Sequence, residues 1–341
     1  MSGERTVYKI GITHGDLNGI SYEVIMKALA DNKMLDICIP IVYGLSKVAG
    51  YYKKAIQMPD FSFQFIKSPA QASLKKANLI NLSENEVPVN MGESTAVAGK
   101  YAEMALRYAC NDLKNNTIDA VVTAPINKNN IQSEQFHFTG HTEYFASAFG
   151  ADNPLMMMIS PAVKVAFVTN HLSINEVAKK LSRELIINKI KALHQALAQD
   201  FGCANPKIAV LSLNPHAGDK GLIGKEEENL IVPAIREVFD QHINAFGPYP
   251  ADGLFGSGNY SKFDAVLAMY HDQGMIPFKL LANNEGVNYT AGLPIVRTSP
   301  AHGTGYDIAG KNCADEQSLR SAIYLAIDIL RNRNLQQETS K

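Results

Sequence analysis

Val165-Ala166-Phe167-Val168-Thr169-Asn170-His171, Ile208-Ala209-Val210-Leu211-Ser212-Leu213-Asn214-Pro215-His216 and Ala265-Val266-Leu267-Ala268-Met269-Tyr270-His271 are three apolar runs, each ending in a histidine. Apolar residues occupy both faces of each run, as in strands buried within a parallel sheet. Shorter runs of the same kind at 7–13, 37–42, 79–82 and 119–124 alternate with segments of helical period at 22–30, 95–115, 143–150, 174–180, 183–200, 225–239 and 318–331. This alternation predicts βαβ units on a mostly parallel sheet, an α/β fold. The stripe Leu319, Ala322, Ile323, Ala326, Ile327 and Leu330 reads as a helix face packed on that sheet. The polar last ten residues, 332–341, read as a frayed end.

A chain of 341 residues exceeds the size at which single cores stop growing, so two domains are expected. A break near Pro125-Ile126-Asn127 and a return near Pro294 predict a first α/β domain of 1–125 plus 295–341 and a central α/β domain of 126–294. The 32 Lys+Arg balance the 33 Asp+Glu, which gives the whole molecule no reason to seek nucleic acid or an anionic membrane surface. Cys38, Cys110, Cys203 and Cys313 are far apart and include no C-x-x-C pair, as expected of thiols in a reducing, cytoplasmic setting. The first residues lack a signal-peptide pattern, and no window approaches the apolar length of a membrane span.

Ligands of open parallel sheets bind beyond the carboxyl ends of the strands, so residues just after those strands converge on one crevice. Three neutral imidazoles there suit zinc or another first-row divalent ion and leave a coordination position open for catalysis. A single histidine after a strand is commonly a hydrogen-bonded loop residue, and the spacings of 45 and 55 residues match no short metal motif. It is the equivalent placement of all three that raises the metal reading. Lys279, Asn288 and Arg297 follow the third histidine, with the uncharged segment 286–294 between the two cations. Such cations recognise phosphate or carboxylate, which points to an anionic substrate. Two glycine-rich loops, 11–19 and 299–311, could face an anion with backbone N–H groups or serve as tight turns. No Walker-type loop and no G-x-S-x-G occurs, which removes the P-loop and serine-hydrolase readings.

Ordered motifs then make the chain recognisable: Thr123-Ala124-Pro125-Ile126-Asn127-Lys128, Phe138-Thr139-Gly140-His141-Thr142-Glu143-Tyr144, Thr169-Asn170-His171-Leu172, Leu213-Asn214-Pro215-His216-Ala217-Gly218, Tyr270-His271-Asp272-Gln273-Gly274 and Arg297-Thr298-Ser299 running into His302-Gly303-Thr304. From about 11 to 311 the sequence closely resembles the 4-hydroxythreonine-4-phosphate dehydrogenase family of vitamin B6 synthesis. The loop at 302–311 also looks like the adenine-side loop of isocitrate and isopropylmalate dehydrogenases. That likeness implies their fold, two α/β domains with a cleft between them, which binds NAD without a G-x-G-x-x-G fingerprint.

The resemblance implies that His171, His216 and His271 are ligands of a divalent ion (zinc, magnesium or cobalt), in a site completed across a homodimer interface. It also implies substrate contacts from His141, Thr142, Lys279, Asn288 and Arg297, and cofactor contacts (NAD or NADP) from His302, Gly303, Thr304 and Asp307. The implied reaction oxidises the C3 hydroxyl of 4-phosphooxy-L-threonine, and the β-keto acid formed loses carbon dioxide to give 3-amino-2-oxopropyl phosphate. Lys279 would neutralise the substrate's anionic groups, and Asp252 and Asp272 are proton-acceptor candidates by location. Two other readings stand beside this one: a paralogous dehydrogenase of threonate or erythronate 4-phosphate, and a metal-dependent hydrolase, which would have no use for an adenine loop. Two departures touch the cofactor side: Leu17-Asn18 where the family's first loop usually has Pro-x, and Gly305-Tyr306 where small and apolar residues are commoner.

Overall fold

The computed structural model of the protein describes residues 7–134 and 136–339. The chain divides into two compact units, one running to Asp152 and resuming over Leu293–Leu330, the other made of Asn153–Gly292 and the residues from Arg331 onward. The first unit holds β1 (Tyr8–Thr13), β2 (Cys38–Gly44), β3 (Gln64–Ile66), β4 (Asn78–Asn81) and β5 (Ala120–Thr123). The second holds β6 (Leu155–Ile159), β7 (Lys164–Phe167), β8 (Lys207–Leu211), β9 (Asn244–Tyr249), β10 (Ala265–Ala268) and β11 (Val287–Ala291). The chain then returns to the first unit as β12 (Val296–Pro300).

In the first unit the strand order is β3-β4-β2-β1-β5-β12, and every pair is parallel. The helix Ala96–Lys114 starts where the Thr95 side chain accepts a hydrogen bond from the Ala98 N–H, a cap worth about 1 kcal/mol. Its apolar face, including Ala102, Ala105, Leu106, Ala109 and Leu113, shares a core with Ile41, Tyr43 and Val121. Ile131, Phe136, Phe145 and Ala146 belong to the same core. Phe136 and Phe145 are fully buried, each contributing about 2 kcal/mol. This packing carries the segment after 125 into the first unit, and the division falls after Asp152, beyond the break expected near 125.

In the second unit the order is β11-β6-β7-β10-β8-β9. Here β6 runs antiparallel to both β11 and β7, while β7, β10, β8 and β9 are mutually parallel. The antiparallel pair escaped the sequence reading because Leu155-Met156-Met157-Met158-Ile159 is rich in good helix formers, whose preference strand pairing overrides. Two further expectations need correcting. The segment 225–239 is no single α-helix: a π-helical turn, Glu227–Ile231, precedes the helix Val232–Phe239, since Pro233 has no N–H to close an α-helical bond. Nor is 332–341 frayed as far as it is described, because the helix Gln317–Thr339 runs through it. Arg333 Nε donates to Asp200 Oδ1 at 2.7 Å, Asn332 Nδ2 to the Asp200 carbonyl at 2.7 Å and Gln336 Nε2 to the Ala198 carbonyl at 2.7 Å. Among the described residues, no helix is long and apolar enough to cross a membrane.

Candidate functional site

The three histidine-terminated runs become β7, β8 and β10, consecutive neighbours with β10 in the middle. Their carboxyl ends are joined by side chains as well as by the ladder. Thr169 Oγ1 donates to the Met269 carbonyl at 2.7 Å and ties the β7 end to the β10 end. Gln273 ties β10 to β8: its Oε1 accepts from Met269 N at 2.7 Å and its Nε2 donates to the Ser212 carbonyl at 2.6 Å. The helix His271–Ala282 that follows β10 lies close to the sheet because residue 274 has no side chain. A Cβ there would stand 2.7 Å from both Phe167 and Val165.

This framework brings His171 and His271 together, with ring centroids 5.8 Å apart. The His271 ring also stacks on Phe167 at 5.9 Å. Its Nδ1 is 2.7 Å from Asp272 Oδ1, which leaves Nε2 as the nitrogen for a ligand, the arrangement that orients metal-binding imidazoles. His216 lies in a tight turn, Pro215–Gly221, in which residues 216–220 all have positive φ. Such a conformation costs about 1–2 kcal/mol for each L-residue. His171 and His216 are exposed. Among the described residues, no three His, Cys, Asp or Glu side chains are grouped closely enough to hold an ion, so one chain assembles the His171–His271 pair without the third ligand. The donors nonetheless suit a first-row divalent ion: imidazole nitrogens, one ring held by a carboxylate.

Of the other second-unit candidates, Asp252 lies at these strand ends, whereas Asn288 does not: it pairs with Met158, which pairs with Val165 at the amino end of β7. Asp252 is exposed in the first turn of the helix Ala251–Gly256, just after β9 and therefore beside the β8 end. Lys279 is exposed on the helix that His271 begins, and Asn288 is half-buried within β11. Large apolar side chains are exposed in the segments that follow the histidines: Leu172 and Ile174, Leu222 and Ile223, Ile276 and Leu280.

His141, Thr142 and Arg297 belong to the first unit. Arg297 lies within β12, only 2% exposed, and donates through Nε (3.1 Å) and Nη2 (2.7 Å) to Thr123 Oγ1 and through Nη2 (2.9 Å) to Ser299 Oγ. Burial pulls its pKa down to about 9 and the Glu143 carboxylate opposes that shift; the guanidinium stays charged at neutral pH. His141 and Thr142 begin the helix His141–Phe149, behind Gly140. The His141 Nε2 is buried and accepts or donates no hydrogen bond among the described residues. Burial, then the charges of Arg297 and Lys128, hold this imidazole well below 6.5, so it is neutral at physiological pH. A buried guanidinium beside a neutral imidazole with an unused nitrogen forms a receptor for an anionic, hydrogen-bonding ligand.

The cofactor candidates lie in the loop after β12. The Thr304 carbonyl accepts from Ile20 N at 2.9 Å, and a Cβ on Gly19 would approach that oxygen to 2.3 Å, so the first loop needs glycine where the two loops touch. Tyr306 OH donates to Asp16 Oδ2 at 2.7 Å, and Asn130 Nδ2 donates to the same oxygen at 2.8 Å. Asn18 binds the chain at 90–95 through Asn90 N, the Glu93 carbonyl and Thr95 Oγ1. Both departures from the family pattern thus serve to dock loops. His302 is half-buried with Nδ1 2.9 Å from the Gly303 carbonyl, while Gly303 and Asp307 are exposed. Thr123, Ser299, Thr169 and Gln273 each lie inside a family motif, but as uncharged polar side chains they carry no sequence signal of the contacts that make them part of the site.

The family model for the pyridoxal phosphate biosynthetic protein PdxA matches residues 36–326. A 4-hydroxythreonine-4-phosphate dehydrogenase of Bacteroides thetaiotaomicron is 51% identical over 331 residues, spanning 97% of this chain and 91% of the relative. A D-threonate 4-phosphate dehydrogenase of Cupriavidus necator is 38% identical over 327 residues, 95% of this chain and 98% of the relative. The crystal structure of 4-hydroxythreonine-4-phosphate dehydrogenase from Klebsiella pneumoniae matches with a TM-score of 0.84 at 33% identity, covering 96% of this chain and 99% of that one.

Proposed function

Since the chain belongs to the PdxA family of pyridoxal phosphate biosynthetic proteins, we propose that it oxidises 4-phosphooxy-L-threonine with NAD and a divalent metal ion. The product, 2-amino-3-oxo-4-phosphooxybutanoate, decarboxylates to 3-amino-2-oxopropyl phosphate. The observation that carries this reading is the side-by-side placement of the three histidine-bearing strands, β7, β10 and β8.

His171, His216 and His271 would hold the ion; imidazole donors match zinc or cobalt better than magnesium, which prefers oxygen ligands. Bound there, a divalent ion supplies Lewis-acid polarisation of the substrate's C3 oxygen. Asp272 keeps the His271 ring oriented through Nδ1. That duty leaves Asp252 as the better acceptor for the hydroxyl proton. Arg297 and Lys279 neutralise phosphate and carboxylate, and Asn288, Thr142 and neutral His141 supply hydrogen bonds that fix the substrate's orientation. His302, Gly303, Thr304 and Asp307 would hold NAD, which would supply the hydride acceptor; the exposed Asp307 carboxylate favours a ribose hydroxyl over the phosphate of NADP.

The exposed apolar residues in the segments that follow the histidines support a homodimer whose second copy covers them and completes the site. The free thiols support a reducing compartment such as the cytoplasm.

A second reading, oxidation of D-threonate 4-phosphate, is favoured by the 38% identical relative of that name. The deciding assay follows nicotinamide reduction with each phosphorylated substrate in the presence of a divalent ion. Turnover of the threonine compound is expected; turnover of the threonate compound alone would overturn the assignment in favour of the second reading.

A further inference from the structure

The turn that carries His216 is held from beneath by a buried carboxylate, Glu227, with Glu226 Oε2 as a second acceptor for Asn214 Nδ2 at 2.8 Å. Glu227, 2% exposed, accepts on Oε1 from both Leu213 N (2.8 Å) and Asn214 N (2.7 Å), and on Oε2 from Asn214 Nδ2 (3.0 Å). The turn closes directly over this group, since a Cβ on Gly218 would lie 2.6 Å from Glu227 Oε2 and 2.9 Å from the Gly224 carbonyl. Positive φ at His216, Ala217, Asp219 and Lys220 is unfavourable for L-residues and persists only where surrounding contacts impose it. Glu227 also opens the π-helical turn Glu227–Ile231, a geometry that recurs where a helix delivers a side chain to a functional site. His216 is exposed, so no packing around the ring holds it and the backbone of the turn sets where its Cα–Cβ bond points.

We propose that Glu227 is the positioning residue for His216, acting through the Leu213 and Asn214 N–H groups; where this concerns metal binding it rests on the ligand role given to His216 above. The carboxylate matters for a specific reason. In Glu227→Gln the side-chain oxygen can still accept the two backbone N–H groups, but the amide NH2 then faces the Asn214 NH2, donor against donor. The volume is kept while the hold on the turn is weakened.

The test uses the full-length protein and three variants, E227Q, H216A and E23Q. Glu23 is a buried carboxylate of the first unit that accepts from Ala314 N at 2.8 Å and pairs with Lys27 at 2.8 Å, and it serves as the control for general destabilisation. Cobalt(II) affinity is measured by calorimetric titration without substrate, thermal unfolding is followed in parallel, and the His216 ring C–H signal is identified by its loss in H216A. We expect E227Q to weaken cobalt binding about 10–100-fold and to shift or broaden the His216 signal, with E23Q changing neither. An unmoved His216 signal in E227Q overturns the proposal whatever the metal does. Equal loss of affinity in E227Q and E23Q overturns it too, because the effect would then be global. If H216A binds cobalt undiminished, the ligand role of His216 fails, while the ring signal still decides the positioning role of Glu227.

Discussion

The loop after β1 and the loops after β7, β8 and β10 occupy equivalent places at the carboxyl ends of strands, yet they are built in opposite ways. In the first unit Asp16 and Asn18 are completely buried, and their side chains are engaged by Tyr306, Asn130 and the chain at 90–95. In the second unit His171 and His216 stand in solvent, followed along the chain by exposed apolar residues, and the order comes from Thr169, Gln273 and Glu227 beneath them. A buried polar loop satisfies its own hydrogen bonds and is finished on folding. An exposed donor set on a braced frame stays accessible to a ligand.

The comparison breaks most visibly at His216. In H216A, metal-dependent turnover should fall by at least about 10³-fold, while denaturant unfolding stays within about 0.5 kcal/mol of the parent because the side chain is exposed. A variant that keeps its activity would remove the histidine edge from the reaction. Next in size is R297K: one ammonium cannot reproduce the Nε and Nη2 contacts to Thr123 and Ser299. A loss of about 100-fold in kcat/KM is expected, mostly as raised KM, from steady-state rates at varied substrate.

The first unit should answer to pH through His14, which burial pulls down to about 4 from 6.5 while its Nε2 contacts the Tyr101 carbonyl and its ring stacks on Tyr22. A pKa lowered on folding means that the unfolded chain binds the proton first. Stability is therefore fully present above pH 6.5, is lost as pH falls toward 4, and changes no further from this group below that. Between pH 6.5 and 5 the loss is about 2 kcal/mol. Urea unfolding of H14F at both pH values should lack that increment, and an unchanged difference would mean that His14 is not the sensor. The smallest effect belongs to Y306F. It leaves Asp16 with its Asn130 and Asn18 bonds and should cost about 1 kcal/mol, read as a shifted urea midpoint.

The α/β class, the three histidine strands and the cationic character of Arg297 were legible in the chain, because strand periodicity and residue charge are local properties. The antiparallel β6–β11 pair was not, because a run of methionines carries no signal of its partner. The role of Glu227 was equally hidden: 225–239 reads as an ordinary helix, and nothing local marks Pro233 as the place where a π turn gives way.

By itself the sequence determined which side chains end the strands, since a run of apolar residues closed by histidine is set by order along the chain. Only the tertiary structure decided that β10 lies between β7 and β8 and that His171 meets His271. It likewise decided that Arg297 is buried against Thr123 and that a buried carboxylate holds the His216 turn. Those are contacts between residues up to 174 positions apart. They arise from strand pairing and from the need of buried charges for partners, neither of which is encoded in any short stretch of sequence.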